Sequence, residues 1–200
     1  MILSFNRRFI LASQSPRRLK LLEQLGLHPE VIPSKLSEDF DNLLSIEENI
    51  RSFAELKAKY VSENIDDGII VGADTVVVLD KEVLGKPSDS VEAFNMLRKL
   101  SDKMHTVITA FCIYSTPEEL SVTDVEKTKV YFKQLSDEEI ERYISTEKPF
   151  DKAGAYGIQD SAAVFVKKLE GSYENVMGFP LSRFYRAMKN KDNIKLLNLS

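Results

Sequence analysis

Eight charged residues of this 200-residue chain stand where solvation alone does not account for them: the cations Arg17, Arg18, Lys57, Lys86 and Lys152, and the carboxylates Glu38, Asp74 and Asp151. Such cations neutralise phosphate oxygens, and such carboxylates hold a divalent metal such as Mg²⁺ or Mn²⁺. Together they describe metal-assisted chemistry on a polyphosphate. Asp74 is the most out of place, set between Ile69-Ile70-Val71 and Val76-Val77-Val78-Leu79 in what should be a buried strand. An unpaired carboxylate there is costly or takes up a proton, so Asp74 is either half of a structural salt bridge or a metal-binding or base residue. Lys57 poses the same problem with the sign reversed. On a helix whose apolar stripe is Ile46, Ile50, Phe53 and Val61, position 57 falls inside the stripe, and the lysine must snorkel to water or reach an anion.

The arginines belong to Ala12-Ser13-Gln14-Ser15-Pro16-Arg17-Arg18, which reads as the joint between a strand and a helix. Phe9, Ile10 and Leu11 are the strand; Ser15 suits the N-cap, Pro16 the first helical position, and Leu19, Leu22 and Leu25 the stripe that follows. Free N–H groups, the positive dipole end, Ser13 and both guanidinium groups then favour phosphate, the alternative being a capped surface helix with two solvated arginines. Lys86 lies in Gly85-Lys86-Pro87, a constrained loop after the Asp74 strand and its return. Asp151-Lys152-Ala153-Gly154-Ala155-Tyr156-Gly157-Ile158-Gln159 combines small residues, past which a ligand can approach the backbone, with Asp151, Lys152 and Gln159 as polar contacts. Neither GxxxxGK[ST] nor GxGxxG occurs in it, which excludes two common nucleotide loops but not nucleotide binding.

The elements that must position these groups alternate between strand and helix, the pattern of an α/β domain. Helices are expected over Ser45–Ser62 and Ser136–Ile144, opened by the capping boxes Ser45-x-x-Glu48 and Ser136-x-x-Glu139, and over Val91–Leu100 and Leu181–Met188. Ile69–Leu79 should turn at Asp80-Lys81 into Glu82-Val83-Leu84, and Val107–Tyr114 should pair with Val122–Phe132 across Pro117-Glu118-Glu119, so the sheet is expected to be mixed. With 43% hydrophobic and 29% charged residues and no linker-like stretch, residues 1–200 read as one domain. The apolar runs reach only strand length, and Met1–Ala12 lacks the pattern of a secretory signal, so neither a membrane span nor a leader is expected. A net charge of −4 disfavours a nucleic-acid polymer as partner. The single Cys112, in an apolar run, reads as packing in a reducing compartment, the cytoplasm. His28 and His105 are too few for a histidine-rich zinc site.

Five segments, in order, resemble the Maf family of nucleoside triphosphate pyrophosphatases over nearly the whole chain: Leu11–Arg18, Gly72-Ala73-Asp74-Thr75, Leu84-Gly85-Lys86-Pro87, Asp151–Gln159 and Asn175-Val176-Met177-Gly178-Phe179-Pro180-Leu181. The resemblance implies metal-dependent hydrolysis of a nucleoside triphosphate to the monophosphate and pyrophosphate, with house-cleaning of non-standard nucleotides as a role. It also implies a mixed, twisted sheet with flanking helices, two lobes around a central cleft, similar to inosine triphosphate pyrophosphatases, and a homodimer as the assembly to test for. By it Asp74 matches the acid/base carboxylate, Glu38 the acidic residue of the loop after the second strand, with Asp39 as its rival, and Ser13, Arg18, Lys57 and Lys86 the residues around the triphosphate. Arg17, Thr75 and Gln159 match positions associated with the dTTP/UTP branch, and the Gln159 amide can offer a donor and an acceptor to a pyrimidine imide edge. Asp160 departs from the glycine that usually follows the Ile-Gln pair.

On this reading a divalent cation bridges Asp74, Glu38 and the phosphate chain, the cations take up the charge of departing pyrophosphate, and water attacks the α-phosphorus. Asp74 is then either the base or a metal ligand. The rivals are a nucleotide-sensing protein tied to cell-division control, which binds without turnover, and a phosphomonoesterase, which would release orthophosphate.

Overall fold

The computed structural model describes residues 7–190 and 192–193. The apolar triplet Phe9-Ile10-Leu11 forms β1 (Phe9–Leu11), followed by α1 (Pro16–Gln24) and a two-residue β2 (Glu30–Val31). Then come α2 (Ile46–Ser62), β3 (Gly68–Leu79), β4 (Glu82–Leu84), α3 (Ser90–Leu100), β5 (Met104–Thr116), β6 (Leu120–Phe132), α4 (Asp137–Glu147), β7 (Val166–Glu170), α5 (Tyr173–Met177) and α6 (Leu181–Lys189). The strands make one open, mixed sheet in the order β2-β1-β3-β5-β6-β7, with β4 also on β3. β1 runs parallel to β2 and β3, whereas β3–β4 and β6–β7 are antiparallel. β5 and β6 are neighbours joined by only three residues, a connection that antiparallel strands alone can make.

Both capping boxes are formed: Ser45 and Ser136 accept from the backbone of Glu48 and Glu139, whose side chains accept from the capping residues in return. Asp80 and Lys81 both adopt positive φ (48° and 75°), the geometry a two-residue hairpin between twisted strands requires. Several caps and boundaries differ from expectation, β5 and β6 among them, which begin at Met104 and Leu120. Ser15 holds the N-cap position of α1 by its backbone, but its hydroxyl makes no capping bond; its own N–H donates to Ser13 Oγ at 3.2 Å instead. α3 begins one residue early because Asp89 caps it, accepting from Glu92 N. α4 runs on to Glu147 and stops where Lys148 turns left-handed (φ 44°).

Residue contacts divide the chain into two compact units. The first holds the described residues up to Asp74, Thr109–Glu126 and those from Gly178 on. Its core joins β1 and the start of β3 to the buried faces of α1, α2 and α6, with Phe111, Phe179 and Phe184 packed ring against ring at 5.1 to 6.0 Å. Gly72 is where α2 comes closest to β3: a Cβ there would strike the Ala54 carbonyl oxygen and lie 2.8 Å from Ala58 N. Both obstacles are backbone, so Gly72→Ala is expected to cost about 3 kcal/mol or more, read as a lowered urea midpoint.

The second unit holds Thr75–Ile108 and Lys127–Met177. Val77, Leu79, Leu97, Val130, Phe132, Ile140, Tyr156 and Phe165 are among its core. His105 is 1% exposed, lies edge-on to Phe132 and Tyr156, and its Nε2 meets Tyr156 Oη at 2.7 Å. Burial lowers its pKa to about 4. A histidine kept neutral in the fold contributes stability that is whole above its unfolded pKa near 6.5 and is lost as pH falls through about 4. His105→Gln should therefore lose less stability than the parent between pH 6.5 and 4, by about 3 kcal/mol at the lower end, in paired urea titrations.

Candidate active site

The first unit assembles one charged cluster from four separate stretches. α2 presents Lys57 on its buried face, and β3 presents Asp74. Lys57 Nζ lies 2.6 Å from Asp74 Oδ1 and 2.5 Å from Glu38 Oε1, with the Ala73 carbonyl at 3.5 Å. The lysine does not snorkel; it reaches two of the protein's own carboxylates. Of the two acidic neighbours it is Glu38 that joins, while Asp39 accepts from the Ser37 hydroxyl.

Beside them, the first turn of α1 buries Arg18. Its Nη1 donates to Ser13 Oγ (3.0 Å) and to the Ala73 carbonyl (2.9 Å), and its Nε to the Gly178 carbonyl (2.9 Å). Ser13 is itself buried and also accepts from Ser15 N, so the strand-to-helix joint is tied to the guanidinium. Arg17, next in sequence, is half-buried.

Burial pushes the Asp74 carboxyl above its ordinary range; the Lys57 ammonium pulls it back, the Glu38 carboxylate adds to the rise, and Arg18 opposes it. Burial likewise lowers the Arg18 guanidinium, with Asp74 and Glu38 resisting; a group with so high a starting pKa stays charged. Asp74 is 5% exposed, whereas the Glu38 side chain is 39% exposed. The cluster thus grades from a dry carboxylate to a wet one through a single ammonium. A purely structural pair would be complete with Lys57 and Asp74; the third member opens it to solvent.

Among the described residues no group of three or more His, Cys, Asp and Glu side chains converges as a metal cage. Two carboxylates do meet at one cation, so their oxygens lie within about 5 Å of each other. Mg²⁺ is commonly held by one or two carboxylates, with phosphate oxygens and water completing its shell. Glu38 and Asp74 fit that donor set, and Lys57 stands between them.

The second unit carries the other expected residues. Lys86 is exposed, and its loop is joined to the glycine-rich segment by Gly154 N donating to the Gly85 carbonyl at 2.9 Å. Gly154 needs its positive φ (67°), and a Cβ there would press on Val77 at 2.9 Å. Lys152 pairs with Asp151 at 3.0 Å and stands 3.8 Å from Asp160 Oδ2. Gln159 is exposed, and Thr75 is half-buried where β3 passes into this unit.

Several participants carry no signal a sequence could offer. The carbonyls of Ala73 and Gly178 fix Arg18 through their backbone positions alone. Tyr143 of α4 accepts from Gly157 N and donates to Asp160, yet it reads as an ordinary core aromatic. Conversely, Asn175 serves the fold: fully buried, its amide donates to the Val107 carbonyl and to Thr128 Oγ1. Cys112 is buried, and burial pushes its thiol up to about 12, as expected of packing. His105 is committed to Tyr156 and His28 is exposed.

Known proteins resemble this chain over most of its length. The family described as Maf-like protein matches residues 8–191. A protein of Caldicellulosiruptor bescii named dTTP/UTP pyrophosphatase is 48% identical over 181 residues, 88% of this chain and 91% of its own length. One of Alkaliphilus oremlandii with the same name is 47% identical over 96% of this chain and 100% of its own length. A third, from Geobacter sp. strain M21 and named alike, is 44% identical over 92% and 95%.

Proposed function

Since the chain belongs to the Maf family, we propose that it hydrolyses dTTP and UTP to the nucleoside monophosphate and pyrophosphate. The observation that carries this reading is the Lys57 ammonium held between buried Asp74 and half-open Glu38, with Arg18 alongside. Cation and carboxylate are thereby in one place, as polyphosphate cleavage needs and simple anion binding does not.

The reaction breaks the bond between the α-phosphorus and the α–β bridging oxygen. A water oxygen attacks the α-phosphorus, its proton passes to a base, and the bridging oxygen leaves with pyrophosphate. Asp74 is the base: its raised pKa makes it a better proton acceptor than an ordinary carboxylate at neutral pH. Lys57, freed from the carboxylates, turns to the phosphate chain, and Arg17, Arg18, Ser13, Lys86 and Lys152 bind and neutralise the triphosphate. Thr75 and Gln159 face the nucleoside, Gln159 pairing with the imide edge of the pyrimidine. A divalent cation, Mg²⁺ or Mn²⁺, held by Glu38 and one oxygen of Asp74 would screen the phosphate charge and polarise the bond that breaks, the second Asp74 oxygen being left to take the proton. EDTA should therefore abolish turnover, and added Mg²⁺ or Mn²⁺ restore it.

A panel of nucleoside triphosphates with Mg²⁺, resolved for pyrophosphate and orthophosphate, tests the assignment. Pyrophosphate from dTTP and UTP in preference to purine nucleotides is expected. Binding without product would point to a sensor, and orthophosphate to a phosphomonoesterase. No helix among the described residues is long and apolar enough to cross a membrane.

A further inference from the structure

Asp160 does more than a helix cap requires. Its Oδ1 accepts from Ala162 N at 3.0 Å, capping the short 3-10 helix Ser161–Phe165. The same carboxylate accepts from the Tyr143 hydroxyl (3.2 and 3.3 Å), and its Oδ2 faces Lys152 Nζ at 3.8 Å. Tyr143 Oη in turn accepts from Gly157 N at 3.1 Å. The phenol therefore uses both its donor and its acceptor to join the two ends of residues 157–160, which are also closed by Asp160 N donating to the Gly157 carbonyl at 3.2 Å. Burial raises the Tyr143 hydroxyl pKa, which keeps it the donor of this pair.

Inside this closed turn Gln159 is the one exposed residue. The turn is tight enough that a Cβ on Gly157 would strike Asp160 Oδ2 and lie 2.7 Å from Gln159 Nε2 and 3.0 Å from Lys152 Cε. Amide, ammonium stem and carboxylate thus converge on one α-carbon, and the Tyr143 hydroxyl ties Asp160 to α4. A cap alone would be satisfied by Ala162 N.

We propose that Asp160 is a positioning residue for pyrimidine recognition: through Tyr143 and Gly157 on one side and Lys152 on the other, it fixes the direction in which Gln159 presents its amide. This rests on the assignment of Gln159 to the base given above. Pre-setting a side chain removes ordering cost from binding, so its loss is felt in affinity and in base discrimination, not in the chemical step.

The test compares the parent with Asp160→Ala, Asp160→Asn and Tyr143→Phe, measuring the UTP Kd by calorimetry in EDTA, the ratio of UTP to ATP affinity, and KM and kcat with Mg²⁺. Asp160→Ala and Tyr143→Phe should raise the UTP Kd and KM about ten-fold, erode the UTP preference, and leave kcat within about two-fold. Asp160→Asn keeps acceptors for Tyr143 and Ala162 and should stay within about three-fold of the parent. An unchanged Kd in Asp160→Ala, a fall in kcat alone, or failure of Asn to restore binding overturns the proposal. Should Asp160→Ala melt below the assay temperature, Tyr143→Phe decides, since its ring keeps its place against Phe165. A parent that binds UTP without releasing pyrophosphate overturns the assigned reaction, while the Kd series still judges Asp160; a parent that does not bind UTP overturns both.

Discussion

Asp74→Asn is expected to lower turnover of dTTP and UTP by about a thousand-fold or more while leaving a folded protein. The amide has the shape of the carboxylate and can still accept from Lys57, so the strand and the helix keep their contact. What is lost is the negative charge and the capacity to take a proton from water, and with them one of the two groups assigned to the metal. Circular dichroism and a thermal melt establish the fold, and initial-rate pyrophosphate release gives the turnover. Activity within about ten-fold of the parent would remove Asp74 from the chemistry and leave it as half of a structural pair.

Lys57→Met carries the largest expected cost in stability. Methionine fills similar volume on the buried face of α2 but leaves Asp74, 5% exposed, without its nearest counter-charge. Removing one partner of a buried pair costs about 3 to 5 kcal/mol at neutral pH. Burial already holds the Asp74 pKa above its ordinary value, and loss of the ammonium removes the strongest opposing influence. A carboxyl whose folded pKa lies above its unfolded one contributes stability that is whole below the unfolded pKa, near 3.9, and is lost as pH rises through the folded value. The variant should thus approach the parent's stability in acid and fall behind as pH rises. Adding Asp74→Asn to it should recover much of the loss at pH 7, since no bare charge is then buried; a double variant as unstable as the single one would show that packing, not charge, was removed.

Local signals proved the most legible. Ser45 and Ser136, each followed three residues later by glutamate, mark α2 and α4 because a capping box is complete within one turn of chain. Asp80-Lys81 marks the hairpin for the same reason. Lys57 and Asp74 could be singled out as anomalies because period and apolarity place them in the interior, but neither pattern says what an interior charge will meet. Their pairing joins residues 17 apart, and the choice of Glu38 over Asp39 depends on how the loop before α2 lies. Gly72 belongs to a sequence motif whose spelling hides its steric reason, the approach of α2 to β3. The hold on Arg18 is hidden altogether, since it rests on carbonyls 55 and 160 positions away that any residue could supply. The division into two units is equally out of view, because β3, β5 and β6 each run through both and no linker marks the boundary.

The central claim is that this chain directs water to the α-phosphorus of a pyrimidine nucleoside triphosphate, with Asp74 as the base. Single-turnover hydrolysis of UTP in ¹⁸O-enriched water, with the products resolved by mass spectrometry, tests it most directly. One heavy oxygen in UMP and none in pyrophosphate is the predicted result. Label in pyrophosphate, or UDP and labelled orthophosphate as products, would place the attack on another phosphorus and contradict it.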